Sequence, residues 1–147
     1  MSLDSLMLFK PDSERFTAEL RGNIYMLHEI GKSLLILSGL QVTQHVRKQL
    51  MPVQVEAIYA KALAPNPEED ALYGTAWKNG VVMHLSSAPV DAYFVRDEGG
   101  NAEVKAKSVK NFLRETLVTA PNVIENIAHV PDEDEYDVVR SILLNEE

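Results

Sequence analysis

The sequence contains no cysteine, which excludes disulfide bonds, thiolate metal sites and cysteine nucleophiles. It has no apolar run near the roughly 20 residues that a membrane-spanning helix needs. It has no basic and apolar leader, so secretion is not indicated and we expect a cytoplasmic protein. Neither common glycine-rich phosphate loop is present, so a nucleotide site here must be built from side chains.

Basic residues are also in short supply, because 14 Lys and Arg stand against 22 Asp and Glu and give a formal charge of −8. This balance argues against nonspecific binding to duplex nucleic acid, which needs a broad basic surface. It leaves room for a small anionic ligand in a local basic pocket. The chain has 147 residues, of which 46% are apolar, and shows neither an internal repeat nor a linker. We therefore expect one domain over residues 1–147.

Apolar periodicity and turn residues predict the secondary structure of the first half of the chain. The predicted elements are a strand over Leu6–Phe9 ended by Pro11, a helix from Phe16 to a C-cap at Gly31, a strand over Ser33–Val42, a short helix from Thr43 to Leu50, a helix opened by Pro52 and broken at Pro65-Asn66-Pro67, and a helix over Glu68–Trp77.

The second half is read in the same way. The predicted elements are a strand from Gly80 to Leu85, a strand over Ala92–Val95, a turn at Asp97–Gly100, a helix over Val104–Leu117, a short strand over Ile124–Ala128 and a closing helix over Asp132–Leu144. Such alternation favours an α/β or α+β sandwich over a helical bundle or a β-barrel.

Three short sequence motifs occur in order along the chain. They are Lys10-Pro11-Asp12 with the later Gly22-Asn23-Ile24, then Ser87-Ala88-Pro89-Val90 with Ala92 and Val95, and last Asn126-Ile127-Ala128-His129 with Asp132. Together they resemble the nucleoside diphosphate kinase family, distantly but over nearly the whole chain. The second is similar to its Ser-Gly-Pro-Val strand and the third to its Asn-x-x-His-Gly-Ser-Asp motif. The resemblance implies a ferredoxin-like antiparallel sheet flanked by helices, and a homo-oligomer.

The resemblance also implies an activity. The family transfers the γ-phosphate of a nucleoside triphosphate to a nucleoside diphosphate through a phosphohistidine, with Mg²⁺, and His129 matches that histidine. A neutral imidazole is nucleophilic near pH 7 and can carry a phosphoryl group. Lys10 would place an ammonium on the transferring group, and Asn126 would hold the sugar hydroxyl.

Further nucleotide-binding residues follow from the same resemblance. In the helix over 104–117 the family has an arginine, and Lys110 falls closest to its position. Lys107 and Arg114 lie one turn to either side, so any of the three cations could face the phosphates. Thr116 would donate its hydroxyl, and Tyr59 resembles a tyrosine of the family's second long helix.

The sequence departs from the family around the histidine. Val130-Pro131 replaces Gly-Ser, and only twelve residues separate Thr116 from His129, fewer than in the family's usual loop. That loop normally supplies a second arginine and a subunit contact, whereas this chain has no Arg or Lys between Leu117 and Ile127. Losing one guanidinium and exchanging another for lysine weakens two charge-assisted phosphate contacts of roughly 1.5–3 kcal/mol each, which costs about two to four decades of rate. The alternative is therefore a catalytically weak or inactive nucleotide-binding or interaction module.

No carboxylate is evident that would orient His129. Arg140 stands where the family carries glutamate, and Asp137 or Glu133 are the possible substitutes. The other histidines show no metal-ligand spacing. We interpret His28 and His45, predicted on helices, and His84, predicted in a strand, as structural, and the sequence predicts no metal ligand. The acidic run over 132–137 lacks the glycine of a calcium loop and is read as a charged first turn.

Overall fold

The computed structural model describes residues 2–10, 17–20, 23–117 and 128–144. Its elements in chain order are β1 (Asp4–Phe9), β2 (Thr17–Leu20), β3 (Asn23–Met26), α1 (Leu27–Leu37), β4 (Gln41–Lys48), α2 (Pro52–Ile58), α3 (Ala60–Leu63), α4 (Pro67–Tyr73), α5 (Ala76–Leu85), β5 (Val90–Arg96), α6 (Ala102–Leu117), β6 (Ala128–His129) and α7 (Tyr136–Leu144).

The central sheet has four antiparallel strands in the order β4-β5-β1-β6. Strand β1 lies inside it, where Leu6 faces Phe94 of β5 and Leu8 faces His129 of β6. Strands β2 and β3 form a separate two-stranded antiparallel ribbon. Helices pack on the sheet, so the predicted ferredoxin-like α+β class is confirmed.

Each face of the sheet has its own apolar core, because successive side chains of a strand point to opposite faces. On one face, Met7 and Phe9 of β1 pack with residues of α1 and α6. On the other face, Leu6 and Leu8 pack with residues of α2, α5 and α7. We call these the α1/α6 face and the α2/α5 face.

Gly31 allows helix α1 to approach the sheet closely. A Cβ atom at this position would lie 2.1 Å from Cζ of Phe9, well inside van der Waals contact. Any larger residue would push α1 or the Phe9 ring away, so the absence of a side chain allows the first turns of α1 to lie close to the sheet. Gly31 lies inside α1, so the prediction of Gly31 as a C-cap was wrong.

The region from residue 16 to residue 50 was predicted largely wrongly. The described part of the predicted helix from Phe16 to Gly31 begins as β2 and β3 and becomes helical only at Leu27, and Phe16 itself lies outside the described residues. The predicted strand over Ser33–Val42 is helical to Leu37, because a short apolar run is compatible with a buried strand or a buried helix. The predicted helix from Thr43 is edge strand β4.

The strand predicted from Gly80 to Leu85 is also wrong, since these residues belong to α5. Val81 and Leu85 are its buried residues, and their spacing of four places both on one helical face. Tertiary packing here overrides the β-propensity of the valine pair.

The predictions bounded by proline or by tight turns are confirmed. They are the first strand (β1), the helix opened by Pro52 (α2), the strand after Pro89 (β5), the turn at Asp97–Gly100 and the helix that follows it (α6). In the turn, the Asp97 carboxylate accepts hydrogen bonds from the amides of Gly99 and Asn101. The closing helix begins at Tyr136, after a turn. Of the predicted strand over Ile124–Ala128, only Ala128 lies among the described residues. Within the described ranges, no helix combines the length and apolar character required to cross a membrane.

Candidate active site

Strand pairing brings the amino-terminal lysine and the carboxy-terminal histidine to the same face of the sheet. His129 lies directly opposite Leu8, so the two side chains share a face. Lys10 follows Leu8 by two residues, at the end of the same strand, and is 3% exposed. Both side chains therefore lie on the α2/α5 face.

Lys10 and His129 line one cleft of about 320 Å³. Of the other residues predicted from the sequence, Tyr59 and Arg114 line the same cleft. Its remaining polar and aromatic wall comes from Lys61, Asn66, Glu69 and Trp77. The structure thus brings together a histidine, two predicted cations and the predicted tyrosine.

Tyr59 lies between the histidine and the lysine. Its ring centroid is 4.5 Å from that of His129, with the planes tilted by 42°. The Nζ atom of Lys10 lies 5.5 Å from the same ring centroid, within the range of a cation–π contact. This packing positions the ammonium and the imidazole around one aromatic ring.

The surroundings of His129 keep its imidazole neutral. Burial, together with the positive charges of Lys10, Lys110 and Arg114, lowers the pKa of His129 to about 3. The residue retains some surface, but its Nε2 atom is shut off from solvent and has no hydrogen-bond partner in the described part of the chain. A neutral imidazole surrounded by cations is suited to meet an anionic electrophile.

The sequence could not distinguish the roles of the three cations of α6, but the structure gives each of them different surroundings. Arg114 reaches the cleft and donates a hydrogen bond from Nη2 to the carbonyl oxygen of Ala128, at 2.7 Å, so it holds the strand that carries His129. Lys107 forms a short ion pair with Asp132. Burial and the neighbouring positive charges lower the pKa of Lys110, and this lysine makes no ion pair within the described ranges.

Asp132 is the carboxylate whose charge acts on the imidazole, where it raises the pKa against the stronger effects of burial and the cations. It contacts Lys107 and, at 3.3 Å, Lys61. Neither Asp137 nor Glu133, the substitutes named from the sequence, is among the charges that shift the pKa of His129. The sequence analysis noted Asp132, three residues after His129, only as part of a motif and not as a residue that acts on the imidazole.

Two predicted nucleotide-binding residues are not tested by the structure. Asn126 lies outside the described residues, as does the side chain of Thr116. The sequence analysis missed the wall formed by α4 and the start of α5. A signal was present in Pro65-Asn66-Pro67, where the Asn66 side chain accepts a hydrogen bond from the Glu69 amide and begins α4 at the cleft.

Sequence comparison gives no assignment, since no protein-family model and no curated protein matches this chain. Solved structures do match. The nucleoside diphosphate kinase of Aquifex aeolicus has a TM-score of 0.63 at 15% identity, over 95% of this chain and 93% of that chain. That of Halobacterium salinarum in complex with CDP has a TM-score of 0.65 at 14% identity, over 97% and 87%.

A nucleoside diphosphate kinase family protein of Babesia bovis also matches, with a TM-score of 0.61 at 13% identity, over 97% of this chain and 87% of that chain. All three cover nearly the whole chain with the same architecture, although identity is low. Similarity at this level establishes the fold and leaves the chemistry to the site. The chain is therefore a divergent member of the nucleoside diphosphate kinase fold.

Proposed function

We propose that this chain transfers the γ-phosphate of a nucleoside triphosphate to a nucleoside diphosphate through a phosphohistidine at His129. The observation that carries the proposal is the convergence of a neutral histidine with Lys10, Arg114 and Tyr59 on one cleft. Phosphoryl transfer needs positioning and neutralisation of phosphate charge more than covalent chemistry from the protein. In this proposal, Lys10 and Arg114 would position the phosphates in the cleft and neutralise their charge.

In the first half-reaction, an imidazole nitrogen attacks the γ-phosphorus, the bond to the β-phosphate oxygen breaks and the diphosphate leaves with that oxygen. In the second, a terminal oxygen of another diphosphate attacks the phosphorus and the nitrogen–phosphorus bond breaks. We assign Nδ1 as the nucleophile, because Nε2 has no access to solvent. The Lys10 ammonium and the Arg114 guanidinium would neutralise the phosphate oxygens.

Mg²⁺ would enter with the nucleotide. Magnesium is commonly held by substrate phosphates, waters and one or two carboxylates, and Glu69 places a carboxylate in the wall of the cleft. Asp132 already contacts Lys61 and Lys107. The residues present therefore fit a metal held mainly by the phosphates, with Glu69 as its protein ligand. When bound, the ion would neutralise charge on the phosphate oxygens.

The test is incubation of the full chain with γ-labelled ATP and Mg²⁺. We expect a protein label that is labile in acid and stable in base, as a phosphohistidine is, and that is lost in His129→Ala. His84→Ala is the matched control, because it removes a histidine of α5 that does not line the cleft. An equal label in both variants, or none where a control kinase labels fully, contradicts the proposal.

A second candidate is a nucleotide-binding module without turnover. Val130 and Pro131, which follow His129, are both buried, and they stand where the resemblance would place glycine and serine. Proline has no amide hydrogen, and neither residue has a side-chain donor for a phosphate. This candidate predicts thermal stabilisation by ADP without labelling, whereas robust phosphate exchange between ATP and another diphosphate excludes it.

We also propose a single domain over residues 1–147 and a cytoplasmic location, as the length and composition of the chain predict, and a homo-oligomer, as the resemblance implies. The short loop before His129 removes a contact that the family's subunits use. Light scattering of the purified chain, with and without ADP, measures the assembly directly, and a monomer at all concentrations contradicts this part of the proposal.

A further inference from the structure

The α1/α6 face carries a group of two histidines and an aspartate, on the other side of the sheet from His129. His28 lies in the first turn of α1, while His45 lies on β4 and Asp91 on β5. One ligand atom from each of the three lies within 4.8 Å of the other two. The sequence analysis missed this group because it placed His45 on a helix, whereas the strand puts its side chain beside Asp91.

The register of the sheet explains why the side chains meet. His45 lies opposite Tyr93 and Arg47 opposite Asp91, so all four side chains share the α1/α6 face. His45 Nε2 is 2.8 Å from Asp91 Oδ1. His28 enters from above, because Gly31, one turn later in α1, allows the helix to lie against Phe9.

We propose that His28, His45 and Asp91 form a binding site for a divalent transition-metal ion, with zinc as the first candidate. Two imidazoles and one carboxylate form a ligand set that such ions accept, with further positions open to water or a small ligand. The ion would take the place of the hydrogen bond between His45 and Asp91, and an inward movement of His28 would complete the set. Mg²⁺ prefers oxygen ligands and would not compete here.

The surrounding groups suit this role. Tyr93 lies 2.8 Å from Nδ1 of His28 and stacks on His45 with ring centroids 4.4 Å apart, so it orients both rings. In the tautomer in which Nδ1–H of His28 donates to the phenol oxygen, Nε2 is available to a metal.

The charges around Asp91 and the solvent exposure of His45 are also compatible with a metal site. Asp91 is 2% exposed, and its Oδ2 atom accepts from Arg47 at 2.9 Å, which leaves Oδ1 toward His45. The side chain of His45 is 41% exposed and stands on the edge strand, so it provides an entry path. Arg47, at 46% exposure, is the cation that competes with a metal for Asp91, and its side chain has room to move outward.

The experiment is calorimetric titration of the full chain, without a histidine tag, with Zn²⁺. A parallel titration with Co²⁺ uses its visible absorption to report nitrogen and oxygen ligation. We expect one ion per chain, and a loss of at least about tenfold in affinity in His45→Ala. His45 is the exposed member of the group, so this variant is expected to fold, which circular dichroism checks.

Two controls locate the site. His84→Ala and His129→Ala remove histidines outside the group and are expected to bind zinc as the parent chain does. Arg47→Ala is expected to bind zinc more tightly, because Asp91 loses its competing cation. Absence of saturable binding, unchanged binding in His45→Ala, or weaker binding in Arg47→Ala overturns the proposal. None of these outcomes depends on whether His129 is phosphorylated.

Discussion

The two faces of the sheet surround their histidines with different neighbours. On the α2/α5 face, the positive charges of Lys10, Lys110 and Arg114 lower the pKa of His129 and outweigh the opposite effect of Asp132. On the α1/α6 face, His45 contacts the buried carboxylate of Asp91, and His28 contacts a phenol. Neighbouring cations favour a neutral ring that can face an anionic substrate, whereas a carboxylate beside an imidazole provides a second ligand for a metal ion. The neighbours, rather than the residue type, decide the chemistry.

Of the substitutions considered, removal of the Lys10 ammonium is expected to have the largest effect. Lys10→Met keeps the apolar stem and removes the ammonium, so we expect phosphoryl transfer to fall about 10- to 100-fold, from a charge-assisted contact of about 1.5–3 kcal/mol. The pKa of His129 rises in the same variant, because Lys10 is one of the charges that lower it. Quenched-flow labelling measures the first effect and an NMR titration of the imidazole the second.

Lys105→Met is the control for that variant. It removes a cation from α6 that pairs with Asp97, at 3.3 Å, and does not line the cleft. We expect the transfer rate and the pKa of His129 to remain unchanged. Equal losses in the two variants would mean that total charge, rather than the position of Lys10, governs the reaction.

Gly31→Ala tests the packing behind the α1/α6 face. The new Cβ would lie 2.1 Å from Phe9 Cζ, so α1 must move away from the sheet. We expect the free energy of unfolding to fall by about 1–3 kcal/mol in urea denaturation, and zinc affinity to fall as His28 moves. Gly99→Ala is the control, since its Cβ would meet no atom nearer than 3.6 Å. Similar destabilisation in both variants contradicts the close approach.

The pH dependence of stability tests the cationic surroundings of His129. Its folded-state pKa of about 3 lies below the ordinary 6.5, so the folded chain resists protonation and the unfolded chain accepts it. The stability contributed by the neutral ring is therefore complete above pH 6.5 and is lost as the pH falls toward 3, by up to about 1.4 kcal/mol per unit. His129→Gln should lose less stability between pH 7 and pH 5 than the parent chain. Parallel slopes in urea denaturation contradict the lowered pKa.

The sequence predicted the parts of the fold that have strong local boundaries. Pro89 and the turn at Asp97–Gly100 delimit β5 and α6, and both elements were found. The apolar run over residues 34–40 has no such boundary at its start, and its helix was read as a strand. Local pattern is insufficient there, because a short apolar run fits a buried strand or a buried helix, and Leu35 reaches the core around Phe9 from a helix.

The candidate site was predictable in part for a different reason. Lys10 and His129 were placed together through the order of motifs, which carries long-range information that periodicity lacks. The group around Asp91 has no such motif. His45 and Asp91 are 46 residues apart and meet only through the antiparallel register. The wall formed by Asn66, Glu69 and Trp77 depends in the same way on how α4 and α5 pack.

The smallest expected effect comes from Lys107, the cation of α6 that is bound to a carboxylate. Its side chain is 32% exposed and that of Asp132 49%, so Lys107→Ala should change the free energy of unfolding by less than about 1 kcal/mol. Asp132 keeps its contact with Lys61, so the charge near His129 changes little and the transfer rate should stay within error. Arg114→Ala, in the same helix, serves as the positive control, because it removes both a cation of the cleft and the hydrogen bond to Ala128. If the rate of phosphoryl transfer falls as far in Lys107→Ala as in Arg114→Ala, Lys107 leaves Asp132 to bind the phosphates. The different roles assigned here to Lys107 and Arg114 would then be wrong.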